Sequence, residues 1–465
     1  MKSLYGGFAV ITKNNAKLWG LCLCILFLFL ESGLKIKIQE DNILHLFEIY
    51  YYEIGCIIIA AVTLARILRT KIWAKKYIIY LIFYVTVILN FITLFLIRVL
   101  FGGNYGDSIW LFRNLFCGLS LSLFIITSSS FISRQKYNHY FVLASSILSA
   151  GYLFSVIKEK AFNPNFPNYA ITFHTLGLMA LPYLVSLIMR SKLKGIDLYL
   201  ANFCIGLILT VSFLSGSRSV FTIAVFMTAI LLIMAIKKLK RLAAIFIALL
   251  SVLILYSGNV YMCRDSIHRS MGIQVTAEEI REPEKAIEKA MQQREEIVSQ
   301  GAEQNIEYHN PVSHSNAVRV VLLRDAIQEL RGDWLFHLKG KTVLEFRQGG
   351  EVVLSGTHNF IVDYILAFGL FVTIPIALYV CSIIVATLRP IHIFANKNTV
   401  YFLLMLFPVF VIGMVQAILT DRIIIGVFMV HISSMYRFKM EEKENETGFI
   451  KKGNDLHYGS IWATD

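Results

Sequence analysis

Apolar runs of roughly span length, separated by short polar breaks, recur along almost the whole chain. A helix needs about 20 apolar residues to cross the roughly 30 Å hydrocarbon core of a bilayer. By that criterion the pattern predicts about twelve membrane spans. They fall at 18–35, 45–65, 77–100, 109–132, 138–157, 168–189, 197–214, 217–236, 241–257, 358–388, 399–418 and 420–436. One break is far longer than the rest, 258–357, between spans nine and ten. The expected fold is an all-α polytopic membrane protein with one large, mostly helical outer loop domain. Its organisation is spans one to nine over 1–257, the loop domain over 258–357, spans ten to twelve over 358–437 and a tail over 438–465.

Inside the long loop, Thr276 with Glu279 three residues on is a capping box, and helix-forming sequence runs from there to about Val298. A second helix is expected to open at Ser315 or Asn316 and to run through VRVVLLRDAIQELR, where Val318, Val321, Leu322, Ile327 and Leu330 recur at helical spacing. The segment TVLEFRQGGEVVL predicts two short strands about Gly349-Gly350. Beyond Lys439 the tail is polar and aperiodic, the pattern of a disordered end.

Composition sharpens the class. Hydrophobic residues make up 56% of the chain and charged residues 16%. A soluble domain carries about 45–50% and about 25% respectively, so a soluble enzyme, a disordered chain and a nucleic-acid binder are all excluded. Positive charge, net +13, sits in the breaks. Lys2, Lys13 and Lys17 precede span one, and Arg66, Arg69, Lys71, Lys75 and Lys76 follow span two. Every even-numbered loop is basic in the same way, ending with Arg437 and Lys439 after the last span. Both termini are therefore expected in the cytoplasm, with 36–44, 101–108, 158–167, 215–218 and 258–357 on the outer side. The first apolar run, LWGLCLCILFLFL, has no small-x-small cleavage site behind it and reads as an uncleaved span. Six of the seven cysteines lie in apolar runs and only Cys263 lies in a loop, so neither a disulfide framework nor a metal motif is indicated.

Charges at membrane depth are costly and mark function by default. Arg218, in LSGSRSVFTIAV, is either a fixed guanidinium able to grip an anion such as a pyrophosphate or a snorkelling interfacial side chain. Thr357-His358-Asn359 opens span ten, ahead of Asp363 and Gly369. A histidine there can take a proton from a sugar hydroxyl, or simply seat its ring at the interface. Asp363, five residues on and about 140° round the helix, is poorly placed as its direct partner. Arg319 and Arg324 share the second loop helix at the same five-residue separation, so one of them faces a common site and a solvated face is the plainer reading for Arg324. His309 and His314 lack the company a metal site needs. Asn163, Pro164, Asn165, Pro167 and Asn168 form a rigid polar turn that either lines a sugar site or is only a turn. Asp421 and Arg422 stand at the outer start of the last span. There is no GxxxxGK[ST], GxGxxG or DxD-type pair, so any transferred group comes from a lipid-phosphate donor rather than a cytoplasmic nucleotide sugar.

Taken in order, the Arg in GSRS, the Arg early in NAVRVVLLRDAI, the HN that opens a span running to AFGLF, the NPN-type outer loop and the LTD ending at Asp421 resemble the O-antigen ligase and O-antigen polymerase superfamily of Gram-negative bacteria. The resemblance covers roughly the C-terminal two-thirds, the first four spans matching only in topology. It implies a multi-pass inner-membrane protein whose large loop is periplasmic. It also implies a metal-independent, cofactor-free, inverting transfer of a glycan en bloc from undecaprenyl pyrophosphate to an acceptor hydroxyl, with membrane lipids as surroundings. By position, Arg218 and Arg319 match the arginines that hold the pyrophosphate, and His358 the histidine that activates the acceptor. Asn165, Asn359, Arg324 and Asp421 are the further expected substrate contacts. Two departures stand out: the glycine stretch before the histidine is loose (Gly340, Gly349, Gly350, Gly356), and Trp334 sits where the family commonly has proline.

One dominant outer loop and twelve spans favour the ligase, with lipid A-core as acceptor. The rival is an O-antigen or capsule polymerase, whose acceptor is a second lipid-linked glycan. A lipid-linked oligosaccharide flippase has a similar span count but no need of so large a loop. An ion-coupled transporter is disfavoured because Glu53, the main buried acid of the early spans, shows no evident basic partner in a neighbouring span.

Overall fold

The computed structural model describes residues 35–36, 49–70, 75–103, 106–127, 171–189, 196–213, 218–235, 311–340, 344–348, 351–355, 357, 359–388, 397–415 and 424–441. The predicted spans at 138–157 and 241–257, nearly all of 18–35, the capped loop helix at 276–298 and the tail beyond 441 lie outside the described residues.

Among the described residues helices dominate. They are α1 (Tyr51–Thr70), α2 (Lys75–Leu100), α3 (Gly106–Thr127), α4 (Ile171–Met189), α5 (Ile196–Phe213), α6 (Arg218–Ala235), α7 (Pro311–Glu329), α8 (Phe360–Leu388), α9 (Lys397–Val415) and α10 (424–441). Three segments, Tyr77–Leu100, Ser108–Thr127 and Phe360–Leu388, are long and apolar enough to cross a membrane. Shorter apolar helices occupy Glu53–Ala65, Thr175–Ser186, Ala201–Thr210, Ser219–Ile230 and Thr399–Met414. Two small ribbons complete the list: β1 (Lys35–Ile36) with β2 (Ile49–Tyr50), and β3 (Leu344–Gln348) with β4 (Glu351–Ser355), both antiparallel. The second pairs Gln348 with Glu351 across the Gly349-Gly350 connection, at the place where the sequence predicts two strands.

Three boundaries differ clearly from expectation. The span expected at 45–65 is helical from Tyr51 and runs on to Thr70, Ile49–Tyr50 being in a strand. Helix α7 begins at Pro311 rather than at Ser315 or Asn316, because proline lacks an N–H and suits the first helical position. The last helix runs on to 441, where Arg437 and Glu441 pair one turn apart at 3.1 Å.

Helix α1 packs on α3, α2 on α8, and α4 on α5, α6 and α9. While α1 packs its Cys56 in a separate cluster with Cys117, Leu121, Ile125 and Val430, one apolar core joins α2 to α6 and α8 to α10 through residues such as Tyr84, Leu119, Met179, Ile223, Phe368, Phe402 and Ile432. Polar side chains inside it pair with one another. Tyr84 and Ser120 lie 3.0 Å apart, Ser122 bonds both Tyr379 and Ser433, and Tyr183 meets His431 at 2.9 Å. One expectation is corrected here. Glu53 does have a basic partner: Arg113 of α3 grips both its carboxylate oxygens, at 2.7 and 2.5 Å. The pairing was invisible in the chain because the two helices meet without being consecutive.

Candidate functional site

Helix α8 is not continuous. At Gly369 the backbone adopts φ 60 and ψ 179, a conformation that essentially only glycine accepts. A break frees backbone donors and acceptors that a buried helix must satisfy elsewhere. Residues 330–340, the loop after α7, supply the partners. Trp334 O accepts the Leu370 N–H at 2.8 Å, and Leu335 O accepts the Phe371 N–H at 3.0 Å. On the other side of the break, the His337 ring donates from Nδ1 to Leu366 O at 2.5 Å. Ala367 O takes bonds from Arg98 at 2.7 Å and from the Ser108 hydroxyl at 2.8 Å. Further on, Pro375 has no N–H to offer Phe371 O, and Asn90 donates to that carbonyl instead at 2.7 Å. A Cβ on residue 369 would stand 2.2 Å from Leu335 O, so the glycine is required both by its dihedrals and by the approach of the loop.

Arg98 is the centre of this junction. It lies near the end of α2, 1% exposed, and its two terminal nitrogens reach Ser108, Ala367 O, Phe336 O and His337 O, all within 3.0 Å. A guanidinium presents several donors in a fixed fork, which is why one side chain can tie a helix end, a loop and a broken helix together. The loop itself is shaped by Asp333, whose carboxylate accepts the Phe336 and Leu338 N–H groups at 3.3 and 2.6 Å. His337 is buried at φ 41. Burial pushes its imidazole below the ordinary histidine range, and the Arg98 charge adds to this, against the Leu366 hydrogen bond.

The opening of α8 is a second ordered cluster. Asn359 is the N-cap, its Oδ1 accepting the Ile361 and Val362 N–H groups at 3.0 and 3.3 Å. Asp363, 3% exposed in the first turn, accepts the Thr357 N–H at 3.0 Å and the Thr357 hydroxyl at 2.7 Å, both on Oδ1. Thr357 Oγ1 in turn accepts the Asn359 N–H at 3.2 Å. Among the described residues, three buried polar side-chain atoms have no hydrogen-bond partner: Arg98 Nε, His337 Nε2 and Asp363 Oδ2. Each can take one further hydrogen bond.

Helix α7 lies against this opening. Leu322, Ala326 and Leu330 pack on Val362, Ile365 and Leu366 of α8. Arg319, half-buried, precedes Leu322 by three residues and so belongs to the same stripe. Arg324 is on another face, with a side chain 53% exposed and 3.5 Å from Asp325. Arg218 is the first residue of α6, which packs chiefly on α4, α5 and α9. His358, Asn165 and Asp421 lie outside the described residues. The described geometry thus brings together the helix of Arg319 and the Thr357–Asp363 turn, and leaves Arg218 on a separate helix.

Sequence reasoning passed over Arg98, Ser108 and His337. A signal for Arg98 was present, since it is a lone charge near the end of an otherwise apolar 24-residue run. His337 carried none, because its role depends on a break in α8 that lies 32 residues further along the chain. No family model matches the chain, and no curated protein is significantly similar to it.

Proposed function

We propose that this protein is an inner-membrane glycosyltransferase working at the periplasmic face, most simply the O-antigen ligase. It takes its glycan from undecaprenyl pyrophosphate and delivers it to a sugar hydroxyl of lipid A-core. The observation that carries this reading is the packing of the Arg319 stripe of α7 on the opening of α8, where Asp363 holds Thr357 next in sequence to His358. A cation on one element and a proton acceptor on the other suit a displacement that builds negative charge on a leaving group while removing a proton from the nucleophile.

In this reading the acceptor oxygen attacks the anomeric carbon of the donor sugar and the carbon–oxygen bond to the pyrophosphate breaks. The electron pair leaves with the lipid pyrophosphate, held by Arg218 and Arg319. The hydroxyl proton passes to His358, and displacement from the opposite face inverts the anomeric centre. Asn165, Asn359 and Asp421 contact the sugars, whereas Arg324, expected from the sequence to join them, is exposed on another face of α7 and does not. The topology that goes with this has twelve spans, both termini in the cytoplasm and the 258–357 loop in the periplasm.

The test is a gel of surface lipopolysaccharide from a strain lacking the gene, with the undecaprenyl-linked pool analysed beside it. Bare core together with accumulated lipid-linked polymer supports the ligase. Core carrying a single repeat would instead assign the polymerase, with a second lipid-linked glycan as acceptor. An unchanged ladder and pool would overturn the reading.

A further inference from the structure

The docking of the 330–340 loop onto the broken helix has a consequence for where that loop lies. Trp334 O and Leu335 O bond the N–H groups of Leu370 and Phe371. Those two residues begin the uninterrupted part of α8, 370–388, an apolar helix of about 28 Å at 1.5 Å per residue. A loop bonded to the first turn of such a segment lies level with the membrane surface, not out in water.

Its exposed side chains fit that level. Trp334 is 41% exposed and Leu335 50%, and on the adjoining helix α7 Leu323 is 36% and Ile327 42% exposed. Arg98 binds the same loop to the end of α2, where Leu100 and the following Phe101 are 80% and 73% exposed. On α7, Leu323 and Ile327 are one turn apart and flank the buried Leu322–Ala326–Leu330 stripe. The next sector round the helix carries Arg324, and Arg331 follows two residues beyond the helix end, at the start of the loop. Buried stripe, apolar edge and cationic edge in that order describe a helix lying in a leaflet. The apolar edge enters the acyl boundary, and the arginines reach the phosphates.

We infer that α7 and the loop 330–340 form an interfacial anchor, with Leu323, Ile327, Trp334 and Leu335 seated in the lipid of the leaflet at which α8 opens. The occupant of this apolar surface is the bilayer itself, because the loop is hydrogen-bonded to α2 and α8, two membrane-length helices that expose apolar side chains such as Leu96, Leu100 and Leu378. The inference rests on the membrane reading of those helices but on no particular reaction. Part of the long loop is then a membrane-surface element rather than a free aqueous domain.

The test uses the full-length protein in nanodiscs and tryptophan quenching. One quencher is a phospholipid brominated near the top of its acyl chains, the other aqueous iodide. The difference between the wild-type protein and Trp334→Phe isolates Trp334. Gains of emission in Ile327→Trp, Gln328→Trp and Leu378→Trp isolate the other positions. Trp334 and the residue-327 probe are expected to lose most of their emission to the brominated lipid and little to iodide, with the reverse at 328. Iodide quenching at 327 and 334, with residue 378 still quenched by the lipid, would overturn the anchor while leaving the membrane reading intact. Iodide quenching at 378 as well would remove the membrane reading itself. Protection of 327 and 334 from both quenchers would mean that protein, from this chain or a second copy, covers the surface, and would equally overturn the inference.

Discussion

Asp363 and Thr357 are joined by two hydrogen bonds to a single carboxylate oxygen, one from the Thr357 backbone N–H at 3.0 Å and one from its hydroxyl at 2.7 Å. The pair locks the residues that lead into α8 onto its first turn, and the second carboxylate oxygen is left buried without a partner. The sequence position of Asp363 had argued against a direct partnership with His358. Its observed role lies one residue earlier.

Removing this acceptor has a predictable cost. Asp363→Ala orphans a buried N–H, which costs about 1–3 kcal/mol. Asp363→Asn keeps one oxygen in place to accept both bonds. The alanine variant is expected to melt clearly lower in detergent, and the asparagine variant close to wild type. Equal losses in both would show that the unpartnered oxygen, not the bonds to Thr357, carries the stability.

Gly369→Ala is expected to undo the loop junction. The added Cβ meets backbone atoms of Leu335 and Phe336, which cannot swing aside as a side chain can. The dihedral strain alone is worth about 1–3 kcal/mol. Hydrogen exchange at the Leu370 and Phe371 amides reads the effect directly, as faster exchange in the variant.

Arg98→Lys tests the fork geometry. An ammonium cannot reach Ser108, Ala367 O, Phe336 O and His337 O together. Ala367 O keeps the Ser108 hydroxyl and His337 O keeps the Gly340 N–H, so the cost of a lost donor, about 1–3 kcal/mol, falls on Phe336 O. The lysine variant is expected to melt well below wild type and to become sensitive to proteolysis within 330–340. A wild-type melting temperature would mean that the loop docks without the guanidinium.

Acid should loosen the same junction. The folded imidazole of His337 is held below its ordinary value, so on acidification through about pH 6.5 the unfolded chain binds a proton that the folded chain refuses. Stability is therefore fully present above that range and falls as pH drops through it. Melting curves across this range should show the slope in the wild type and a shallower one in His337→Asn, since asparagine tolerates a positive φ.

For the proposed transfer, Arg218→Ala, Arg319→Ala and His358→Ala are each expected to abolish the lipopolysaccharide ladder while the protein still inserts. Arg324→Ala, on an exposed face, should be milder. Full activity in the His358 variant would remove the base from the mechanism, and an equal loss at Arg324 would place the wrong face of α7 against the donor.

Periodicity and charge determined what they can determine. The apolar run at 77–100 is a helix because an uninterrupted apolar run without breakers satisfies its own backbone, whatever lies beside it. The hairpin about Gly349-Gly350 and the outward face of Arg324 were legible for the same reason, being properties of short local stretches. The break in α8 was not. Nothing in AFGLF distinguishes a tolerated helical glycine from one at φ 60, and the difference depends on whether Trp334 and Leu335 arrive to accept the freed N–H groups. Likewise Arg98 reads along the chain as a lone charge in an apolar run, and Glu53 as an acid without a counterion. Their partners lie up to 269 residues away, at Ala367, and 60 residues away, at Arg113. Only the tertiary structure decides such pairings, because a buried polar group is satisfied by what packing brings to it, not by what precedes it in the chain.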